Sequence, residues 1–161
     1  QHYMRSTARP FEEGVSRGQL RRIAKCEAAG MVVSNTTIRV AYSIVSENRH
    51  RKGRQYGMTM HDWFYLFEKS NVVYCFGIYE IAIDGFVAAA LCARASDTVL
   101  YVSGWGDIAG LDEFSPVTLL CRGIYLWCAQ NGFTTMDIGI GGDEGLDNFK
   151  LRLGFKKGVP C

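Results

Sequence analysis

Apolar positions along the chain fall into two spacings, and the changes between them mark out the elements. Leu20, Ile23 and Ala24 recur at helical intervals within residues 12–29, and Gly30 supplies a stop, which predicts a first helix. Met31-Val32-Val33 predicts a short strand. Thr36 or Thr37 can cap a second helix with Ile38, Ala41, Tyr42 and Val45 along one side, decaying into the polar run 47–54. Thr59 and Asp62 have capping-box spacing, opening a third helix with Trp63, Leu66 and Phe67 inward. The spacing then changes to that of strands. Residues 72–81 are rich in β-branched and aromatic side chains, Asp84-Gly85 is a turn signal, and residues 86–95 form the other arm of a hairpin. Ser96-Asp97 turns into residues 99–105, completing an antiparallel meander. The first ten residues have no period. Residues 1–18 are therefore expected to be a mobile end or severed connection, with the domain running over 19–161.

Residues 99–155 alternate strand, loop and helix. Pro116 has its φ already set for a helix and Ser115 before it can cap the free N–H groups. Val117, Leu120, Ile124 and Trp127 share one face, and Asn131-Gly132 end the helix. The strand at 134–140 must then return by a right-handed crossover to lie parallel to 99–105. A last helix is predicted over 144–153. Both parallel strands run into glycine turns, Gly104-Trp105-Gly106 and Gly139-Ile140-Gly141-Gly142. Glycine admits the close approach of a ligand or of another backbone, so the pattern fits an acyl-donor or phosphate site and equally two tight turns.

Composition narrows the class. At 161 residues, with 48% hydrophobic and 21% charged positions, the chain is one globular domain's length. A net charge of +2 does not select nucleic acid or membrane partners, although Arg17–Lys25 and Arg49–Arg54 are locally basic. Cys26, Cys75, Cys92, Cys121, Cys128 and Cys161 show no CxxC spacing, and four of them sit inside apolar patterns. Reduced thiols and a cytoplasmic location are expected. His2, His50 and His61 are scattered, so no metal site is legible. The longest apolar run, 86–93, is too short to span a bilayer.

Three segments carry a family resemblance. Residues 21–33, RRIAKCEAAGMVV, resemble the "RxIxKAExxGVxV" helix that joins the halves of FemAB-like proteins, a branch of the GNAT acyltransferase superfamily. ENRHRKG at 47–53 is similar to their basic segment. Asp137-Ile138-Gly139-Ile140-Gly141-Gly142, followed by Phe149-Lys150 and Gly154-Phe155, resembles their closing "DxGG…FKxxFG" signature. The resemblance implies an α/β (α+β) chain with a GNAT-like mixed sheet: an antiparallel meander, then a parallel β-α-β crossover, with helices on both faces. It also implies acyl or aminoacyl transfer onto an amine carried by a small molecule, sugar or peptide. The co-substrate would be acyl-CoA or aminoacyl-tRNA rather than a tightly bound cofactor, with tRNA and an upstream GNAT-like half as partners. The "QxxGxG" pyrophosphate loop of ordinary GNATs is absent; Ser103-Gly104-Trp105-Gly106-Asp107 stands there, which argues against acetyl-CoA. A non-catalytic module of the same fold, or a half-enzyme, is the other reading.

Lys150 is the first candidate. Phe149 and Leu153 are expected to face inward, leaving Lys150 at a groove edge, and the resemblance gives it a phosphate or a developing oxyanion to hold. A surface lysine fits the same spacing. Asp137 on the last core strand can orient the amine, take its proton, or tie down a neighbouring loop. Gly104, Trp105, Gly106, Asp107, Ser115, Gly141 and Gly142 are the candidate donor-binding residues, with main-chain N–H groups near Gly104–Gly106 or Gly139–Gly142 holding the carbonyl oxygen. Arg49 and Arg51 are either a phosphate contact or a solvated basic face. No Ser-His-Asp or Cys-His arrangement is legible, so direct attack is expected rather than a covalent acyl-enzyme.

Overall fold

The computed structural model describes residues 1–53, 57–70, 73–105 and 115–158, with Ser70, Val73 and 101–105 described by main chain. The elements are β1 (His2–Ser6), α1 (Arg17–Ala28), β2 (Met31–Asn35), α2 (Ile38–Arg51), α3 (Met60–Ser70), β3 (Val73–Glu80), β4 (Gly85–Ala95), β5 (Thr98–Trp105), α4 (Pro116–Gln130), β6 (Thr135–Ile140), α5 (Glu144–Arg152) and β7 (Lys156–Lys157). The strands form a single sheet in the order β2-β3-β4-β5-β6-β1-β7. Its β2-to-β5 half is antiparallel throughout, and the crossover through α4 makes β5 and β6 parallel. This is the mixed sheet expected from the pattern.

Two apolar layers sandwich the sheet. On one face α1, α4 and α5 close over Ile78, Val99 and Met136, with Leu120, Ile124, Cys128 and Leu153 fully buried. On the other face α2 and α3 bury Ile38, Ala41 and Trp63 against Ala89 and Leu91. Alternate side chains of β4 supply both layers, which is why 87–92 reads as one continuous apolar run. Thr37 caps α2 through Val40 N–H, and Thr59 and Asp62 form the reciprocal capping box of α3 at 2.7 and 3.1 Å.

Several expectations are corrected. The first ten residues are not a mobile end: β1 inserts between β6 and β7, and Tyr3 is buried. Its sequence, HYMRS, conceals the strand because its inward positions are Tyr3 and Arg5. The Arg5 guanidinium keeps its charge and donates to four main-chain carbonyls, those of Leu153, Pro10, Phe11 and Glu13. α1 starts at Arg17 rather than near Glu12; it buries Ile23 and Cys26 and leaves Leu20 half-buried against the core. α2 does not decay at Glu47 but continues to Arg51, with basic residues in the last turn where the helix dipole favours them. Ser115 does not cap α4; it adopts a left-handed conformation, and its hydroxyl meets Thr118 Oγ1 at 3.2 Å instead.

Candidate functional site

The parallel pair β5–β6 stays in register over Thr98↔Thr135, Val99↔Met136 and Leu100↔Asp137. β5 continues to Trp105 and β6 to Ile140, yet beyond Leu100↔Asp137 these two stretches do not pair with each other. An open sheet receives ligands where parallel strands part at their C-terminal ends, and Asp137 stands at that parting.

Asp137 is buried, and a buried carboxylate needs partners. It has two. Its Oδ1 accepts the Gly139 N–H at 2.7 Å and its Oδ2 meets His2 Nδ1 at 2.8 Å. Met136 and Ile138 on either side belong to the α1/α4/α5 layer, so strand alternation turns Asp137 to the opposite face. Gly139 has φ +81°, a conformation glycine adopts without strain, and this bends the strand end so that its amide reaches back to Asp137.

Lys150 lies deeper than its spacing suggests. It is 5% exposed, not at a groove edge. Its Nζ donates to the Ile140 carbonyl at 2.5 Å and lies 5.2 Å from the centre of the Tyr3 ring. Burial lowers its pKa, an effect opposed by the nearby Asp147 and Asp137 carboxylates. The helix that carries it is set by Asp143, whose carboxylate caps Leu146 N–H at 2.8 Å. Lys150 and Asp137 are thus within electrostatic reach but not in contact, one fixed to the last residue of β6 and the other to β1.

The glycine turn is occupied by the protein itself. Gly142 N–H donates to Asp147 Oδ1 at 3.1 Å, and a Cβ on Gly141 would lie 2.5 Å from that same oxygen. The Gly139 and Gly142 amides, expected to hold a substrate carbonyl, therefore bond to Asp137 and Asp147. Asp147 also pairs with Lys157 at 3.1 Å, and the Tyr3 phenol beside both is pushed up in pKa, first by burial and then by Asp147.

Of the other candidates, Gly104 and Trp105 are placed by their main chain at the end of β5, opposite Ala90 and Ala89. Gly106 and Asp107 lie outside the described residues. Ser115 leads into α4. Arg49 and Arg51 sit at the end of α2, in the helical layer across the sheet from Lys150, and Arg51 donates to Asn48 Oδ1 at 3.1 Å. Sequence reasoning missed His2, Tyr3 and Lys157, because β1 and β7 are too short and too polar to show a strand period. Among the described residues no cluster of three or more metal-ligating side chains is present, and no helix is long and apolar enough to cross a membrane.

No protein-family model and no curated protein matches the sequence. Solved structures match the fold. The crystal structure of FemX superposes with a TM-score of 0.77 at 10% identity, over 96% of this chain and 58% of that one. The C-terminal domain of a putative lysylphosphatidylglycerol synthetase from Agrobacterium fabrum gives 0.68 at 11% identity, over 96% of this chain and 56% of that one. L-PGS from Bacillus licheniformis gives 0.66 at 12% identity, over 95% and 56%. The chain thus has the GNAT-like fold of FemX and spans a little over half the length of these structures.

Proposed function

We propose that this chain is an acyl- or aminoacyl-transfer domain, moving an acyl group from a thioester or a tRNA ester onto an amine by direct attack. The observation that carries the reading is the parting of β5 and β6 at Leu100↔Asp137, with a buried ammonium and a buried carboxylate at the C-terminal end of β6. The likeness of the fold to FemX and to lysylphosphatidylglycerol synthetase domains supports the same chemistry. In this reading the donor lies along the parted strands, where Gly104 and Trp105 end β5 and Gly106 and Asp107 follow, and reaches the start of α4 at Ser115. Lys150 steadies the negative charge that develops on the carbonyl oxygen. An ammonium has three donors and Ile140 takes one. Gly141 and Gly142 shape the turn that carries Ile140, and Arg49 and Arg51 contact phosphate groups of a long donor such as tRNA. The acceptor is an amine on a small molecule, sugar or peptide.

Internal engagement of the Gly139 and Gly142 amides favours a second reading, a binding module that holds a donor without turning it over. One experiment separates the two. Aminoacyl-tRNA and acyl-CoA are each titrated while melting temperature is followed, since a ligand at a hundred times its Kd stabilises the folded state by about 2.7 kcal/mol. Product is then sought with amine acceptors. Stabilisation with turnover supports the transferase, stabilisation without turnover supports the module, and no stabilisation by either donor class overturns both.

A further inference from the structure

We propose that His2 is the general base that deprotonates the attacking amine, with Asp137 as its positioning residue. The proposal rests on the acyl-transfer reading and adds to it the group that takes the proton.

Asp137 is poorly placed for that task. Its side chain is 6% exposed and both oxygens are engaged, Oδ1 by Gly139 N–H and Oδ2 by His2. The imidazole in front of it is 47% exposed. A carboxylate can only accept, so Nδ1 carries the hydrogen and donates it to Asp137 Oδ2 at 2.8 Å. Nε2 of the neutral ring is then the nitrogen with the lone pair. A buried carboxylate that fixes the tautomer, and an accessible second nitrogen, are the two things an imidazole base requires. Main-chain pairing fixes the backbone of His2 as well. His2 lies opposite Ile140 of β6, and its carbonyl accepts Gly158 N–H at 3.0 Å. The pair stands at the residue where β5 and β6 part.

Neighbouring charged groups do not compete for the role. Lys156 and Lys157 on β7 flank β1 from the other side, and Lys157 is paired with Asp147 on the side of Tyr3. Lys150 donates to Ile140. Asp147 accepts from Gly142 and Lys157.

The amine lone pair forms the new C–N bond to the donor carbonyl carbon as the C=O π pair moves onto oxygen, and the N–H proton passes to His2 Nε2. When the oxygen pair returns, the C–S bond of a thioester or the C–O bond of a tRNA ester breaks. The leaving group departs with the bonding pair and takes the proton back from the imidazolium.

The test has two arms on the whole chain. In the first, long-range 1H–15N correlation spectra of the 15N-labelled protein report the His2 tautomer. The Nδ1–H form is expected in the wild type, and a mixture in which Nε2–H is prominent in Asp137→Asn. An Nε2–H wild type, or a tautomer indifferent to Asp137→Asn, overturns the proposal. In the second, His2→Gln is compared with wild type, its melting temperature confirming the fold. Expected are a fall in kcat of roughly a hundredfold or more, an unchanged donor KM, loss of the acidic limb of the pH–rate profile, and partial rescue by added imidazole. Asp137→Asn should move that limb rather than abolish it. Transfer by the wild type that survives intact in His2→Gln overturns the base alone. Absence of transfer by the wild type from either donor class overturns the acyl-transfer reading and the base with it, while the spectra still report whether Asp137 sets the imidazole.

Discussion

The Lys150 ammonium donates to the main-chain carbonyl of Ile140 at 2.5 Å, so a side chain of α5 holds the last residue of β6. This gives Lys150 a structural load as well as its proposed role in charge stabilisation, and the two are separable. Lys150→Met keeps the helix, since methionine is unbranched, but leaves the Ile140 carbonyl without this donor at a cost of about 1–2 kcal/mol. If the ammonium also steadies developing charge, kcat falls by a hundredfold or more; if it holds a donor phosphate, KM rises instead. A variant with the expected loss in melting temperature and wild-type kinetics would leave Lys150 as a staple only.

The sign of its titration gives an independent check. Burial lowers the Lys150 pKa, so between the folded value and the ordinary 10.5 the unfolded chain binds more protons than the native one. Stability from this residue therefore rises with pH as that window is crossed. The melting temperature of wild type relative to Lys150→Met should increase as pH rises towards 10.5; a flat or falling difference would contradict the burial of a charged lysine.

Arg5 is expected to be among the most sensitive positions in the chain. Its guanidinium donates to Leu153, Pro10, Phe11 and Glu13 carbonyls and lies over the rings of Tyr125 and Phe11, at 4.7 and 5.1 Å. Arg5→Met strands several carbonyls at once, at roughly 3–5 kcal/mol, which lowers the melting temperature by on the order of 10 °C. Arg5→Lys keeps the charge but not the planar fork, and should recover less than half of that loss.

Legibility followed the strength of local patterns. The hairpin, the meander and the β5–α4–β6 crossover were all readable, because each is a long segment with one clear period and Gly or Pro at its limits. β1 was not readable. A five-residue strand whose inward positions are Tyr3 and Arg5 has no apolar alternation, and its stability comes from partners more than 130 residues away, such as Ile140 and Leu153. The site divided along the same line. Asp137 and Lys150 could be singled out from the closing motif, but not their partners, since His2 and Tyr3 reach them only through the pairing of β1 with β6 and β7. Ser115 misled for a different reason: cap-forming residue types are necessary for a cap but do not fix φ, and here φ is 49°.

The buried thiols predict an alkaline limit. Burial pushes Cys121 and Cys128 up to about 12 and Cys75 up to about 11, from an ordinary value of 9.0. A thiol raised in the folded state contributes fully below pH 9 and loses that contribution as pH rises towards 12, because the unfolded thiol ionises first. The advantage of wild type over Cys128→Ala should therefore shrink above pH 9, by at most about 1.4 kcal/mol per pH unit. In the native protein, thiol reagents should reach Cys92, Cys121 and Cys128 only at the rate of opening. Fast labelling of all three at neutral pH would contradict their burial.

Gly123 poses two opposed effects in one substitution. It lies inside α4, where alanine is favoured over glycine by about 1 kcal/mol, so helix propensity alone forecasts stabilisation by Gly123→Ala. The added Cβ would stand 2.5 Å from Val33 Cγ1 and Cγ2 and 2.8 Å from Val33 Cβ on the edge strand β2. A rotamer change can move the two methyl groups but not the Cβ, so β2 itself must shift. Overpacking of that kind costs about 1–3 kcal/mol, which outweighs the propensity gain. Gly123→Ala should accordingly lower the melting temperature, and Val33→Ala in the same chain should restore part of the loss by clearing the methyl groups. The double-mutant cycle isolates that coupling, which should exceed about 0.5 kcal/mol for residues in contact. A stabilised Gly123→Ala, or additive single effects, would mean that β2 does not sit against α4 as closely as this geometry requires.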